Sequence, residues 1–130
     1  MNEGSRFMSV DSQSSTQHNR LMKNTLYIGW TMCRNQDVAE RLANDLVERK
    51  LAACVQIESI QSFYSDGKEV THHGCLRLTV KFLGAHLEQI NAYIVANHPE
   101  ANSEWYSVRA ENVNAKYLQW VQSMSLPVSS

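Results

Sequence analysis

The dipeptide Asp66-Gly67 stands between two β-prone stretches, "LAACVQIESI" leading into "FYSDGKEV", and "CLRLTVKF". Asp-Gly in such a setting is among the strongest short-range hairpin signals, so two consecutive antiparallel strands occupy the middle of the chain. The return strand sets its own orientation. Leu76, Leu78, Val80 and Phe82 fall on one side, and Arg77, Thr79 and Lys81 on the other, the period of two of a half-buried strand. One face of this hairpin has to be covered.

The flanking segments supply the cover. "TLYIGWTMC", from Thr25, is β-prone and largely apolar and reads as a buried strand. Asn35 is placed to cap a helix through "QDVAERLANDLVERK", in which Val38, Leu42 and Leu46 recur every fourth residue with Ala39, Ala43 and Val47 beside them. Asp37 with Arg41, and Asp45 with Arg49, are expected to pair on its wet face. A second helix is expected from about Ala85 to Asn97, striped by Leu87, Ile90 and Ile94 and stopped by Pro99. "EWYSVRA" is a short strand. Asn114 can cap a last helix whose inner face is read as Tyr117, Trp120, Val121 and Met124, and Pro127 ends the ordered part.

This order, β-α-β-β-α-β and one more helix, predicts an α+β fold: a ferredoxin-like sandwich with a four-stranded antiparallel sheet, two helices on one face and an additional C-terminal helix. The domain spans residues 25–125, after a disordered tail over 1–24 and before a flexible C-terminus over 126–130. Two helices cover only one face. The other carries Trp30 and Cys75 among polar residues, and is left to the extra helix or to neighbouring subunits.

Composition excludes several classes. With 130 residues and 43% hydrophobic content the chain builds one domain with a real core. Its 12 basic and 13 acidic side chains show no bias towards nucleic acid or an anionic membrane, and no apolar run approaches the roughly 20 residues of a membrane helix. Three cysteines, Cys33, Cys54 and Cys75, without a CxxC, argue against a disulfide framework or a zinc knuckle and for a reducing compartment. The first 24 residues are rich in Ser, Gln and Asn and lack the apolar stretch of a secretory signal; Arg6, Arg20 and Lys23 with few acids leave organelle import open beside a cytoplasmic location. No GxGxxG, P-loop, HExxH or GxSxG pattern occurs, so the chain is not read as an enzyme.

Several pieces in this order carry a family resemblance. They are "VERKLAACVQI" with Leu51-Ala52-Ala53-Cys54-Val55, Tyr64 with Gly67-Lys68, Lys81, His98-Pro99, Glu104, and Tyr117-Leu118-Gln119-Trp120. Over about residues 26 to 124 the chain resembles the CutA family of divalent-cation tolerance proteins. The resemblance implies a tight homotrimer with sheet edges paired between subunits, a role in tolerance of copper and other divalent metals, and no metal needed for folding. It also implies an architecture similar to the PII signalling trimers. The alternative is accordingly a PII-like regulatory or scaffolding trimer that binds a protein partner or a small anionic ligand. This chain departs from the family pattern in its hairpin, where "YSDGK" has no Trp, in Glu100 and Ser103, which flank the loop after His98-Pro99, and in Arg34, where a Pro is common.

The candidate metal ligands, copper above all, follow from the same resemblance: Cys33, His98 and Glu104. Thiolate, imidazole and carboxylate together suit copper. The six residues from His98 to Glu104 span roughly 20 Å if extended, so they share a site only if the chain folds back around Asn102. The competing reading of His98 is architectural, since a His at a helix C-terminus bonds the last carbonyls. His72 and His73 point to opposite faces of a strand and chelate poorly together. Cys54, between Ala53 and Val55, reads as packing rather than as a nucleophile. Lys68 and Lys81 read as solvated charges or as anion contacts between subunits.

Overall fold

The computed structural model describes residues 22–128. The expected N-terminal tail lies outside them except for its last three residues, as do the final two residues of the chain. Four strands, β1 (Leu26–Cys33), β2 (Cys54–Ser65), β3 (Val70–Leu83) and β4 (Trp105–Arg109), alternate with helices α1 (Gln36–Glu48), α2 (Leu87–Asn97) and α3 (Ala115–Ser123). They form one antiparallel sheet in the order β2-β3-β1-β4, the ferredoxin-like arrangement expected from the element order.

The register sorts the side chains by face. Tyr27, Gly29, Thr31 and Cys33 of β1 stand opposite Phe82, Val80, Leu78 and Leu76 of β3. This side packs under α1 and α2 through Ala39, Leu42, Leu46, Ile90, Tyr93 and Ile94. Val121 of α3 packs with Leu26, Ala53 and Leu83; Leu26 pairs with Leu83 one residue out of phase, so α3 covers one end of the opposite face. β4 is held close by the absence of a side chain at Gly29, where a Cβ would overlap the Trp105 indole.

β2 and β3 outrun the rest of the sheet. β1 reaches only as far as the Cys33–Leu76 pair. Beyond it, among the described residues, Ile60–Ser65 and Val70–Cys75 pair only with each other and project as a two-stranded arm. The turn is longer than the two-residue loop that Asp-Gly favours. Ser65 pairs with Val70, and the Asp66 carboxylate accepts from Lys68 N and Glu69 N at 2.9 and 3.0 Å, while Gly67 takes a left-handed φ of 99°. Those backbone donors hold the Asp66 carboxyl below its ordinary range.

α1 begins where expected, with the Asn35 side chain accepting from Val38 N at 3.2 Å. It ends on Lys50 at φ 59°, where Leu51 N and Ala52 N both donate to Leu46 O at 3.1 Å. This tight left-handed exit allows β2 to follow almost without a linker.

Two expectations fail. The pairs Asp37–Arg41 and Asp45–Arg49 do not form; the only ion pair among the described residues joins Arg77 to Glu58 at 2.7 Å. Tertiary partners take their place. Tyr93 OH donates to Asp45 at 2.6 Å, the Arg49 guanidinium lies 5.0 Å from the Tyr93 ring centre, and Arg41 donates to Asn97 O at 3.2 Å. In α3 only Val121 is fully buried. Tyr117 and Leu118 pack beside it, whereas Trp120 and Met124 are exposed in the single chain.

Candidate functional site

The C-terminal end of β1 gathers the residues singled out from the sequence. α2 stops at His98, whose N donates to Ile94 O and whose ψ of 132° turns the chain back towards the sheet. The imidazole Nε2 lies 2.7 Å from Met32 O, and Nδ1 lies 3.2 Å from Glu100 N, which donates to it. Nδ1 is thus the acceptor and Nε2 carries the proton. Both nitrogens are occupied, and the ring is buried. The Cys33 Sγ sits 3.9 Å from the same Nε2.

The link from His98 to Glu104 folds back on itself. It turns over residues 99–102 and is pinned to β1 at both ends, by the His98–Met32 bond and by Thr31 Oγ1 donating to Glu104 O at 2.6 Å. Cys33 and Glu104 share the walls of a cavity of about 160 Å³ with Glu100, His73, Cys75 and Tyr64. His98 is not among those walls. Among the described residues no three His, Cys, Asp or Glu side chains are grouped so as to hold a metal ion. As folded, then, Cys33 touches His98 on one side and shares a cavity with Glu104 on the other.

The sequence reading did not bring the members of this cavity together, and Ser62 went unmarked altogether. The Tyr64 hydroxyl is hydrogen-bonded to His73 Nε2, Ser62 Oγ lies 3.3 Å from Cys75 Sγ, and Arg34 donates to Tyr64 OH at 3.4 Å. A signal existed: residues 73 and 75 share a face of β3, and Ser62 pairs with His73. His72 instead stacks on Phe63 from the other face, with ring centres 4.8 Å apart. Cys54 is half-buried, and Lys81 Nζ lies 5.9 Å from the Tyr117 ring centre.

Two buried acids of low strength set an alkaline limit. Burial, reinforced by the charge on Glu100, pushes the Cys33 thiol up from 9.0 to about 11. Burial and the bond to Asp45 push Tyr93 up from 10.0 to about 12. Each folded-state pKa is raised, so the folded chain holds its proton longer than the unfolded one. The stability this contributes is complete below pH 9 and is lost as pH rises from about 9 to about 12. Metal-free protein followed by urea denaturation should therefore show a falling midpoint across that window, and Cys33→Ala should flatten the lower half of the fall.

The fold and this site define a small ferredoxin-like domain with an open sheet face and, at the end of its first strand, a buried thiol beside an imidazole and a cavity walled in part by carboxylates. Residues 27–124 match the family of CutA1 divalent ion tolerance proteins, and the chain belongs to it. It is 34% identical to the CutA homolog of Xenopus laevis over 75% of this chain and 65% of that one. It is 30% identical to CutA of Homo sapiens over 75% of this chain and 55% of that protein. The chain thus spans between about half and two thirds of the length of these curated relatives. The crystal structure of CutA1 from Shewanella sp. SIB1 superposes with a TM-score of 0.73 at 28% identity, covering 78% of this chain and 95% of that one.

Proposed function

We propose that this protein acts in the response to divalent metal ions as a non-catalytic homotrimer, and that it takes copper or a similar divalent cation at the end of β1. The observation that carries the metal reading is the meeting of Cys33 with His98, at 3.9 Å, beside a cavity that Glu104 also lines. The donors suit the cation in kind: a soft thiolate, an imidazole and a hard carboxylate. For His98 to contribute Nε2 its ring proton must move to Nδ1, breaking the bonds to Met32 O and from Glu100 N, and Cys33 must lose its proton. Affinity is therefore expected to rise with pH. Bound copper would supply positive charge at a corner where Glu100 and Glu104 already stand.

The trimer is supported by what one chain leaves bare. A lone two-stranded ribbon is marginal in water, yet the arm carries Phe63 at 67% and Val70 at 73% exposure. Tyr106, Val108, Trp120 and Met124 are exposed on or beside the open face, and both sheet edges, β2 and β4, are unpaired among the described residues of one chain. Among the described residues no helix is long and apolar enough to cross a membrane, and a cytoplasmic location is the simplest setting for three free thiols.

Calorimetry on metal-free protein tests the metal site. Wild type should bind about one Cu(II) or Cu(I) per chain, Cys33→Ser and Glu104→Gln should each weaken it at least about tenfold, the loss of one coordinating group being worth upwards of ~1.4 kcal/mol. Equal binding by all three proteins sinks the assignment.

A further inference from the structure

A second cavity, of about 460 Å³, opens between the start of α1 and the arm. Its polar lining is the Arg34 guanidinium, the Gln36 and Gln61 amides, the Ser59 hydroxyl and the Cys75 thiol, with Ile60 and Leu76 as apolar wall. No carboxylate lines it. Arg34 has no carboxylate partner among the described residues; it donates a long hydrogen bond to Tyr64 OH, 3.4 Å. Gln36 Nε2 spends one of its two hydrogens on Glu40, at 2.7 Å, and keeps the other.

The floor of this cavity is made by a glycine. Gly74 pairs with Gln61 in an unbroken ladder, and its φ is not left-handed, so neither a bulge nor a turn requires glycine there. A Cβ built on it meets nothing nearer than Gln61 Nε2 at 3.8 Å. Glycine inside a strand gives up packing and chain stiffness, and recurs where a ligand or another backbone comes close. What Gly74 provides is space beneath a guanidinium, two amides and a hydroxyl. The volume is that of a small-molecule site, and the fork of a guanidinium matches the two oxygens of a carboxylate or phosphate group.

We propose that this cleft binds a small oxoanion, a carboxylate or phosphate group held by Arg34 and hydrogen-bonded by Gln36, Ser59 and Gln61, with Gly74 making room for the body of the ligand. The cleft adjoins the proposed metal corner, sharing Arg34 and Cys75 with its cavity, but neither His98 nor Glu104 lines it.

The test uses metal-free protein at constant ionic strength, with inorganic phosphate, citrate and ATP as probes and chloride as the control. Thermal shift and calorimetry are read on wild type, Arg34→Gln and Gly74→Val. At least one probe should raise the melting temperature of wild type above the chloride control; phosphate and ATP against citrate distinguish the two anion chemistries. Arg34→Gln should weaken that probe about 10- to 100-fold, the usual worth of a charge-assisted pair. Gly74→Val fits the strand and fills the floor, so it should abolish binding while leaving the melting temperature of the ligand-free protein equal or higher. The proposal is overturned if no probe binds beyond the control, or if all three proteins bind alike. It is also overturned if Gly74→Val changes the assembly mass while anion binding persists, since the cleft is then filled by another copy of the chain. Because copper is absent throughout, failure of the metal reading leaves these outcomes unchanged.

Discussion

His98→Ala is expected to lower the unfolding free energy of the metal-free protein by about 2–4 kcal/mol, the sum of a part-buried carbonyl left without its donor and the cavity left by a buried ring. The imidazole ties together three parts of the chain: the end of α2, the last residues of β1 through Met32 O, and the returning loop through Glu100 N. Met32 O, which is only part-buried, loses its donor, whereas Glu100 is exposed and its N–H can be hydrated. His98→Gln places an amide N–H near the position of Nε2 and should recover part of the loss. The measurement is the urea midpoint at fixed protein concentration, because assembly makes stability concentration-dependent. A residue kept solely as a metal ligand would show no such loss without metal. If both variants match wild type under those conditions, the architectural role of His98 is wrong. A drop confined to copper-loaded protein would assign the residue to the metal alone.

That dual position explains why the sequence reading of His98 stayed divided between packing and ligation. The element order was legible because each strand and helix declares itself over a short window. Alternation from Leu76 to Phe82 and the four-residue recurrence of Val38, Leu42 and Leu46 are local, and the core indeed forms from Leu42, Leu46, Leu78, Val80 and Phe82. What could not be read depends on partners far along the chain. Met32 and His98 are separated by 66 positions, and Asp45 and Tyr93 by 48. In α1 the spacing rule put Asp45 with Arg49, but a tyrosine from α2 supplied a better-buried donor to Asp45 and an aromatic face to Arg49. Trp120 and Met124 were placed inward by the same kind of rule. In the single chain they are exposed, at 42% and 44%, because α3 has only a narrow contact, Val121 with its neighbours, at one end of the sheet. The Arg34 cleft was hidden for a related reason: Gly74 looks like a weak spot in a strand until the register shows that nothing in the backbone demands it.

Trp30→Glu is expected to break the proposed trimer, shifting the mass in native mass spectrometry from three chains to one at micromolar concentration. Trp30 lies near the middle of the open face, against Tyr106 with ring centres 5.6 Å apart, and between Ile28 and Met32 on the same strand face. In a single chain it is only half-buried, so the substitution costs the isolated subunit little, and its circular dichroism should remain that of a folded α+β chain. In an assembly that covers this face the same carboxylate must be stripped of water, which costs several kcal/mol for each ion without a partner. A closed trimer carries three of them. Arg77, on the same face, is already paired with Glu58, so it does not offer a free compensating charge. Val95→Glu is the matching control. Val95 is 79% exposed on α2, a helix that packs on the other side of the sheet, and its variant should keep the wild-type mass. A melting temperature that rises with protein concentration for wild type and Val95→Glu, but not for Trp30→Glu, would be the thermodynamic counterpart. The assembly argument fails if wild type is itself a stable monomer, or if Trp30→Glu retains the wild-type mass, because then the bare arm and the open face are tolerated in water without a second copy to cover them.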